Sequence, residues 1–198
     1  MAVHLRLARA LALTAISLAV TGAAAPAGAA TVLKPSHALI TTRVDAPSGW
    51  MTTTDPVSGI SVMLPGQPTV KNTTTTSANG DTLPLRQYIL ELNGGSRTVV
   101  FQVIDAPFRP IDFDKGLQLV ASTQGNGMVT TSRHFTLDGH PADDSRITGI
   151  IEGTPAVSLV RFVADSGYLV AILTVGRSTE ESGLIPLHQE VLGTLHLV

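Results

Sequence analysis

The stretch Phe135–Gly149 reads FTLDGHPADDSRITG and predicts a β-hairpin. Apolar and polar residues alternate along Met128–Leu137 and, with more polar residues, along Ala142–Ile151, which is the period of a half-buried strand. Between the two runs stands Asp138-Gly139, a pair that suits the positive φ angles of a two-residue hairpin turn. We therefore expect a central hairpin that sets the register of a larger sheet.

Segments on both sides of this hairpin repeat the strand pattern. Arg97–Ile104, RTVVFQVI, is apolar on both faces, which indicates a strand in the middle of a sheet. Asn79-Gly80 and Asn93-Gly94-Gly95 are turn signals of the kind that join neighbouring antiparallel strands. Further strands are predicted at Gly59–Leu64, Val70–Thr76, Leu83–Leu92, Val157–Ala164 and Tyr168–Val175.

Two other segments have the period of an amphipathic helix. Asp112–Thr123 begins with an aspartate that can cap it, and its apolar residues form one stripe. Ser178–Leu192 contains Pro186, which suits a first turn, so we expect this helix to begin near Leu184. Neighbouring strands with few, separated helices indicate an α+β fold, an antiparallel sheet flanked by helices.

The composition excludes some classes of function. Hydrophobic residues make up 43% of the 198 residues and charged residues 14%, so a core is easily built. The formal net charge is -2, and the lysines and arginines are scattered along the chain. Because a nucleic-acid surface needs a concentrated basic patch, we expect no nucleic-acid partner.

The N-terminal residues have the pattern of a secretory signal peptide. Arg6 and Arg9 precede the apolar run Ala10–Val20, and small residues follow. The run is shorter than the ~20 residues of a membrane span, so we expect no transmembrane segment after processing. The predicted signal peptide is Met1–Ala30, with cleavage after Ala29 or Ala30, and the protein is then secreted.

The rest of the chain divides into a linker and one domain. Thr31–Gly49 is rich in Thr, Pro, Ser and Ala and predicts a flexible linker. Trp50–Val198 then forms the folded domain, which we expect to be a monomer. The chain has no cysteine, which excludes disulfides, thiolate metal sites and a lipid anchor on an N-terminal cysteine.

A family resemblance runs through several of these features. The opening GISVMLPGQP at Gly59–Pro68 leads to the hairpins and first helix, and LDGHPA at Leu137–Ala142 leads to a polar strand containing Arg146. Over Trp50–Val198 this pattern is similar to the PsbP-like fold. That α/β/α sandwich is shared by the photosystem extrinsic protein PsbP, Ran-binding Mog proteins and exported bacterial proteins, including mycobacterial lipoproteins of the LpqN kind. The resemblance implies a non-enzymatic role in binding or assembly, and it transfers no catalytic residue.

The hairpin also concentrates side chains that bind metals. His134 and His140 flank its turn, with Asp138, Asp143 and Asp144 nearby. Imidazole with carboxylate is a ligand set for zinc or manganese. However, His134 lies on the strand face opposite Phe135 and His140 lies at the turn, so we favour a solvated hairpin and predict no metal and no cofactor.

Asp144, Arg146 and Arg161 are charged residues predicted on neighbouring strands. They either form a cross-strand ion network or line a shallow site for an anionic ligand, since arginine offers paired planar donors. With His140 they are the candidate ligand-binding residues. The ligand is an unknown protein or a small molecule of the envelope.

Three hypotheses about function follow. We favour a secreted, non-enzymatic binding or accessory domain of the bacterial cell envelope, because the sequence holds no nucleophile elbow, no Ser-x-x-Lys and no His-Glu-x-x-His. The alternative is a cell-wall hydrolase or metal-dependent enzyme that uses His134 or His140. A third hypothesis is a structural or lipid-associated envelope protein.

Overall fold

The computed structural model describes residues 48–77, 80–107 and 111–198. The predicted signal peptide and nearly all of the predicted linker lie outside the described residues, as does Asn79 of one predicted turn. The first described element is a short ribbon, in which β1 (Met51–Thr54) pairs antiparallel with β2 (Ser61–Leu64).

Seven antiparallel strands form the main sheet in the order β3-β4-β5-β9-β8-β7-β6. Each predicted strand of this sheet is present, most of them extended by a few residues. The seven strands are β3 (Thr69–Thr76), β4 (Thr82–Leu92), β5 (Arg97–Asp105), β6 (Gly125–Leu137), β7 (His140–Ile151), β8 (Thr154–Asp165) and β9 (Tyr168–Arg177).

The hairpin that FTLDGHPADDSRITG predicts is present, but its position in the sheet differs from the prediction. β6 and β7 pair in antiparallel register, with Leu137 opposite His140. Asp138 and Gly139 both have positive φ angles, 50° and 91°. The expectation of a central hairpin is wrong, because β6 is an edge strand. β5 and β9, the two strands with nearly continuous apolar sequences, occupy the centre instead, since residues on both of their faces are buried.

The two faces of the sheet carry separate hydrophobic clusters, because neighbouring residues of a strand point to opposite sides. One cluster includes Val100 and Ile104 and continues into helix α1 (Phe113–Ser122). The other includes Val99 and Phe101 and continues into helix α2 (Glu181–Leu192) and the β1–β2 ribbon. We name these the α1 face and the α2 face.

Helix α1 follows the sequence prediction closely. The Asp112 side chain accepts a hydrogen bond of 3.1 Å from the Lys115 amide, which caps the first turn. The Phe113 ring stacks on the Phe162 ring of β8 with centroids 6.1 Å apart. All four residues of the predicted stripe are buried: Phe113, Leu117, Val120 and Ala121.

Helix α2 begins earlier than predicted. A short 3-10 turn, Ser178–Glu180, leads into the helix at Glu181, so Pro186 lies inside the helix and the expected start near Leu184 is wrong. Leu184 and Val191 are fully buried against the sheet. Packing of this apolar stripe outweighs the one backbone hydrogen bond that a proline cannot donate.

The junction between α1 and β6 has no room for a side chain. A Cβ atom added at Gly127 would lie 1.9 Å from the carbonyl oxygen of Ala121, the last buried residue of α1. We expect Gly127→Ala to lower the free energy of unfolding by about 1–3 kcal/mol, because backbone atoms must move apart. Urea unfolding measures this effect. Gly139→Ala is the control, because nothing lies within 4 Å there and only its positive φ angle is strained; an equal loss at both positions would contradict the explanation.

Candidate functional site

Three of the four candidate binding residues lie together on the α2 face. Asp144 of β7 stands directly opposite Arg161 of β8 in the sheet register. Two parallel hydrogen bonds join them, from Nε to Oδ1 at 2.6 Å and from Nη2 to Oδ2 at 2.7 Å. This paired geometry is the strong form of the arginine–carboxylate interaction, and it fixes the plane of the Arg161 guanidinium.

A second arginine extends this pair to the edge of the sheet. Arg133 of β6 donates to Asp144 Oδ2 at 3.1 Å. The guanidinium carbons of Arg133 and Arg161 each lie 5.1 Å from the centre of the Phe135 ring. Such distances allow cation–π attraction. We name Arg133, Phe135, Asp144 and Arg161 the arginine–phenylalanine cluster.

The third candidate residue, Arg146, ties the sheet to helix α2. Its Nε and Nη2 donate to the Glu181 carboxylate at 2.5 and 2.8 Å, and its Nη1 donates to Thr130 Oγ1 at 2.9 Å. The side chains of Arg146 and Glu181 are both about a quarter to a third exposed. The pair therefore anchors the first turn of α2 on the sheet.

These arginines set the charge state of the carboxylates that they contact. Burial favours a higher pKa for Asp144, but the hydrogen bonds and charges of Arg161 and Arg133 outweigh it, so the pKa lies below the usual value. The hydrogen bond from Arg146 lowers the pKa of Glu181 in the same way. Both carboxylates are ionised at neutral pH. The cross-strand ion network is thus formed, and binding of an anionic ligand by the same residues stays a prediction.

A buried histidine, His188, lies beside this network and was missed by the sequence reasoning. Its Nδ1 is 2.9 Å from Thr174 Oγ1 of β9, and its side chain is 4% exposed. Burial lowers its pKa to about 4, with a smaller effect of Arg161 in the same direction and an opposing effect of Asp144. The sequence held one signal that could have predicted this burial, because His188 falls between Leu184 and Val191 on the apolar stripe of the helix.

The two histidines of the hairpin do not form one site. His140 Nδ1 lies 3.2 Å from Asp165 Oδ1, but the two atoms do not have hydrogen-bond geometry. His134 Nδ1 lies 3.2 Å from Asp143 Oδ2 and its Nε2 lies 3.5 Å from Asp114 Oδ1 on α1. In residues 48–77, 80–107 and 111–198 there is no group of three or more His, Cys, Asp or Glu side chains that could hold a metal ion.

Asp143 is the centre of a small polar group on the α1 face. The Ser132 hydroxyl donates to its carboxylate at 2.7 Å, and the Ser145 hydroxyl donates to the same carboxylate. In a Ser-His-Asp catalytic arrangement, the nucleophilic serine hydroxyl hydrogen-bonds to one nitrogen of a histidine, and the carboxylate binds the other nitrogen of that histidine. Here both serines bind the carboxylate, so this group orders the β6–β7 hairpin.

A buried ion network at the other end of the α2 face was also missed. Asp55, in the loop between β1 and β2, is fully buried. Its Oδ1 accepts hydrogen bonds from Arg86 Nε at 2.6 Å and from the Tyr88 hydroxyl at 2.9 Å, and its Oδ2 accepts from Ser58. Arg86 Nη2 also donates to Asp105 at 2.7 Å. Ser58 is a local partner of Asp55, but no motif around Asp55 predicts its contacts with Arg86 and Tyr88, which are 31 and 33 residues away in the sequence.

The charge states in this network follow from these contacts. Burial favours a higher pKa for Asp55, but the hydrogen bonds from Arg86, Ser58 and Tyr88 outweigh it and leave the pKa below the usual value. Burial and the Asp55 carboxylate raise the pKa of Tyr88 to about 12. The network therefore clamps the β1–β2 ribbon to β4 of the main sheet.

Helices of the described part of the chain are all too short or too polar to cross a membrane. No protein-family model matches the chain, and no curated protein sequence matches it. Solved structures do match.

Cyanobacterial PsbP from Synechocystis sp. PCC 6803 is similar with a TM-score of 0.58 and 10% identity, over 78% of this chain and 96% of that protein. The fold is therefore PsbP-like, as the sequence resemblance predicted. PA94, a Pseudomonas aeruginosa protein of unknown function, matches with a TM-score of 0.47 and 13% identity over 67% of this chain and 99% of its own. LpqN of Mycobacterium tuberculosis, which is involved in cell envelope biogenesis, matches with a TM-score of 0.42 and 12% identity over 77% and 80%.

Proposed function

We propose that the chain is a secreted, non-enzymatic accessory domain of the bacterial cell envelope, built as an α/β/α sandwich, that binds a protein partner through the arginine–phenylalanine cluster. The N-terminal signal pattern supports secretion. The assignment of α1 and α2 to different hydrophobic clusters supports the sandwich. The engagement of Asp143 with serines, rather than of a serine with a histidine, supports a role without catalysis.

The exposure of Arg133 is the main observation that supports a binding surface at this cluster. The side chain of Arg133 is 71% exposed and donates through Nη2 to Asp144, the one hydrogen bond it makes to side chains of the described chain. A guanidinium has five N–H donors, so most of its donors face solvent. Arginine and aromatic residues are the preferred anchors of protein interfaces, and Asp144 holds this anchor in place before a partner arrives.

A photo-crosslinking experiment tests the proposal on the exported protein. A photoreactive residue is placed at position 133 in one version and at position 115, an exposed lysine of α1, in the other. We expect one discrete crosslinked partner from position 133 and none from position 115. Arg133→Ala should weaken binding of the identified partner about tenfold or more, the usual loss for an interface anchor.

The same preparation tests secretion. The intact mass of the exported protein should equal that of a chain whose first residue is Ala30 or Thr31. Protein that retains Met1 would contradict processing, and equal crosslinking from positions 133 and 115 would contradict the assigned surface.

A further inference from the structure

Strand β6 has one side of its backbone open. It is the last strand of the sheet, and β7 is its one neighbouring strand in the described part of the chain. Its register with β7 shifts twice before Thr131 but is regular from Thr131 to Leu137, which we name the edge segment. In residues 48–77, 80–107 and 111–198, no backbone–backbone hydrogen bond outside the paired strands involves the edge segment. Alternate N–H and C=O groups of this segment therefore point away from β7 and are available for pairing.

A row of alternating charge crosses three strands and ends on the edge segment. Arg161 of β8 is directly opposite Asp144 of β7, and Asp144 is directly opposite Arg133 of β6. The row thus ends at the open edge with a positive charge on a mostly exposed side chain. Opposite charges at opposed positions stabilise neighbouring strands and like charges destabilise them, so the next position in the row suits a carboxylate.

The rows on either side of this charge row define two further positions. Val163 and Ala142 are buried, and the next residue in their row is Phe135, which packs partly against the hydrophobic cluster of the α2 face. An apolar side chain opposite Phe135 would extend that cluster beyond the edge. On the other side Arg146 is followed by Thr131, which is exposed. A serine or threonine suits the position opposite Thr131, because hydroxyl side chains pair across strands.

The other edge of the sheet, β3, has no comparable row. Its sequence TVKNTTTT contains neither an arginine nor an aromatic residue. Its one charged residue, Lys71, is directly opposite the neutral Gln87, so no row of alternating charge ends there. The two edges therefore differ in what they can recognise, and β3 is a control for β6 within the same molecule.

We propose that the protein partner binds by strand addition, in which an extended segment of the partner pairs antiparallel with the edge segment. The added strand places a carboxylate opposite Arg133, an apolar residue opposite Phe135 and a serine or threonine opposite Thr131. Its pattern is apolar–x–acidic–x–Ser/Thr. The antiparallel direction matches that of β6 with β7 and is the more stable pairing per residue. This inference rests on the proposed function and adds the chemistry of its partner.

Nuclear magnetic resonance of the 15N-labelled protein tests this binding mode with the peptide TTVTETT, acetylated and amidated at its ends. In antiparallel register its valine is opposite Phe135 and its glutamate is opposite Arg133. We expect saturable shifts of the backbone amide signals of the edge segment and none in β3. TTVTKTT should bind about fivefold more weakly or worse, although the formal net charge of -2 would by itself favour the lysine peptide. The reversed peptide TTETVTT, which has the same composition and charge as TTVTETT, should also bind more weakly.

N-methylated peptides test backbone pairing separately from the ion pair. In an added strand, every second peptide N–H points toward β6. One version of TTVTETT is methylated at the valine and glutamate nitrogens, and the other at the nitrogens of the two threonines beside the glutamate. One version should bind about tenfold more weakly or worse, and the other should keep its affinity within about twofold. Arg133→Ala should bring the affinities for TTVTETT and TTVTKTT to within about twofold of each other.

The results separate this binding mode from the proposed function. Equal shifts at both edges, equal affinities for the three unmethylated peptides, equal effects of the two methylation patterns, or no saturable binding would overturn strand addition. A partner that crosslinks from position 133 alongside any of these results would leave the proposed function standing. If the peptides bind as expected but no partner crosslinks from position 133, the proposed function is contradicted and the preference of the edge segment for an acidic strand is confirmed.

Discussion

Replacing Asp55 by alanine is expected to lower the free energy of unfolding by about 3–5 kcal/mol, as typically follows when one member of a buried ion pair is removed. The substitution leaves Arg86, itself 8% exposed, without its shortest contact and removes the acceptor of the Tyr88 hydroxyl. It also releases the loop that joins β1 to β2. Urea unfolding of Asp55→Ala and of the unchanged protein measures the loss.

Asp105→Ala is the matched control for this effect. Asp105 contacts the same guanidinium, but its side chain is 28% exposed, so water can replace it. We expect less than half of the loss seen for Asp55→Ala. Equal losses of unfolding free energy would show that the two carboxylates stabilise Arg86 to the same extent. The deeper burial of Asp55 would then not explain its effect.

Acidification provides the second large effect. His188 has a folded-state pKa of about 4 against an ordinary value of 6.5, so the unfolded chain binds the proton first as the pH falls. The stability that neutral His188 contributes is complete above about pH 6.5 and is lost as the pH falls from there toward about 4. At about 1.4 kcal/mol per tenfold difference in proton affinity, we expect a loss of about 2–3 kcal/mol between about pH 7 and pH 4.5.

His188→Asn isolates this contribution from that of the carboxylates. Asparagine does not titrate and keeps a polar group near Thr174, so its unfolding free energy should be flatter between about pH 6.5 and 4.5. The lowered pKa values of Asp55, Asp144 and Glu181 act at lower pH, because their contributions are lost only as the pH falls through and below their ordinary values near 4. A variant with the same slope as the unchanged protein would contradict the assignment to His188.

The sequence predicted the elements of this fold better than their arrangement. Alternation along Met128–Ile151 and the Asp138-Gly139 turn are local signals, and they gave the correct strands and hairpin. Which strand lies beside which depends on contacts between distant residues, so the same signals wrongly predicted a hairpin in the centre. Pro186 led to a wrong predicted start for α2. The local free-energy cost of a proline inside the helix is smaller than the gain from burying Leu184 and Val191.

In the candidate site, too, local contacts were predictable from the sequence and distant contacts were not. Asp144, Arg146 and Arg161 stand on adjacent strands whose pairing is local, so their meeting was predictable. The contact of Arg146 with Glu181 joins residues 35 positions apart, and no spacing rule predicts it. The role of Asp55 is harder still to predict, because a fully buried aspartate has the same letter in the sequence as an exposed one.

The place of β9 in the sheet has a consequence for how the chain is made. β5 pairs with β9, and His196 near the C-terminus pairs with Ser61 in β2. Until residues 168–177 have been synthesised, β5 and β8 each lack a neighbour, and the two halves of the sheet cannot close. Distant pairings of this kind form slowly. The two meanders β3–β4–β5 and β6–β7–β8 can pair locally, but a newly made chain cannot join them into one sheet until β9 is complete. For a chain that we propose to be exported, this dependence delays formation of the full sheet.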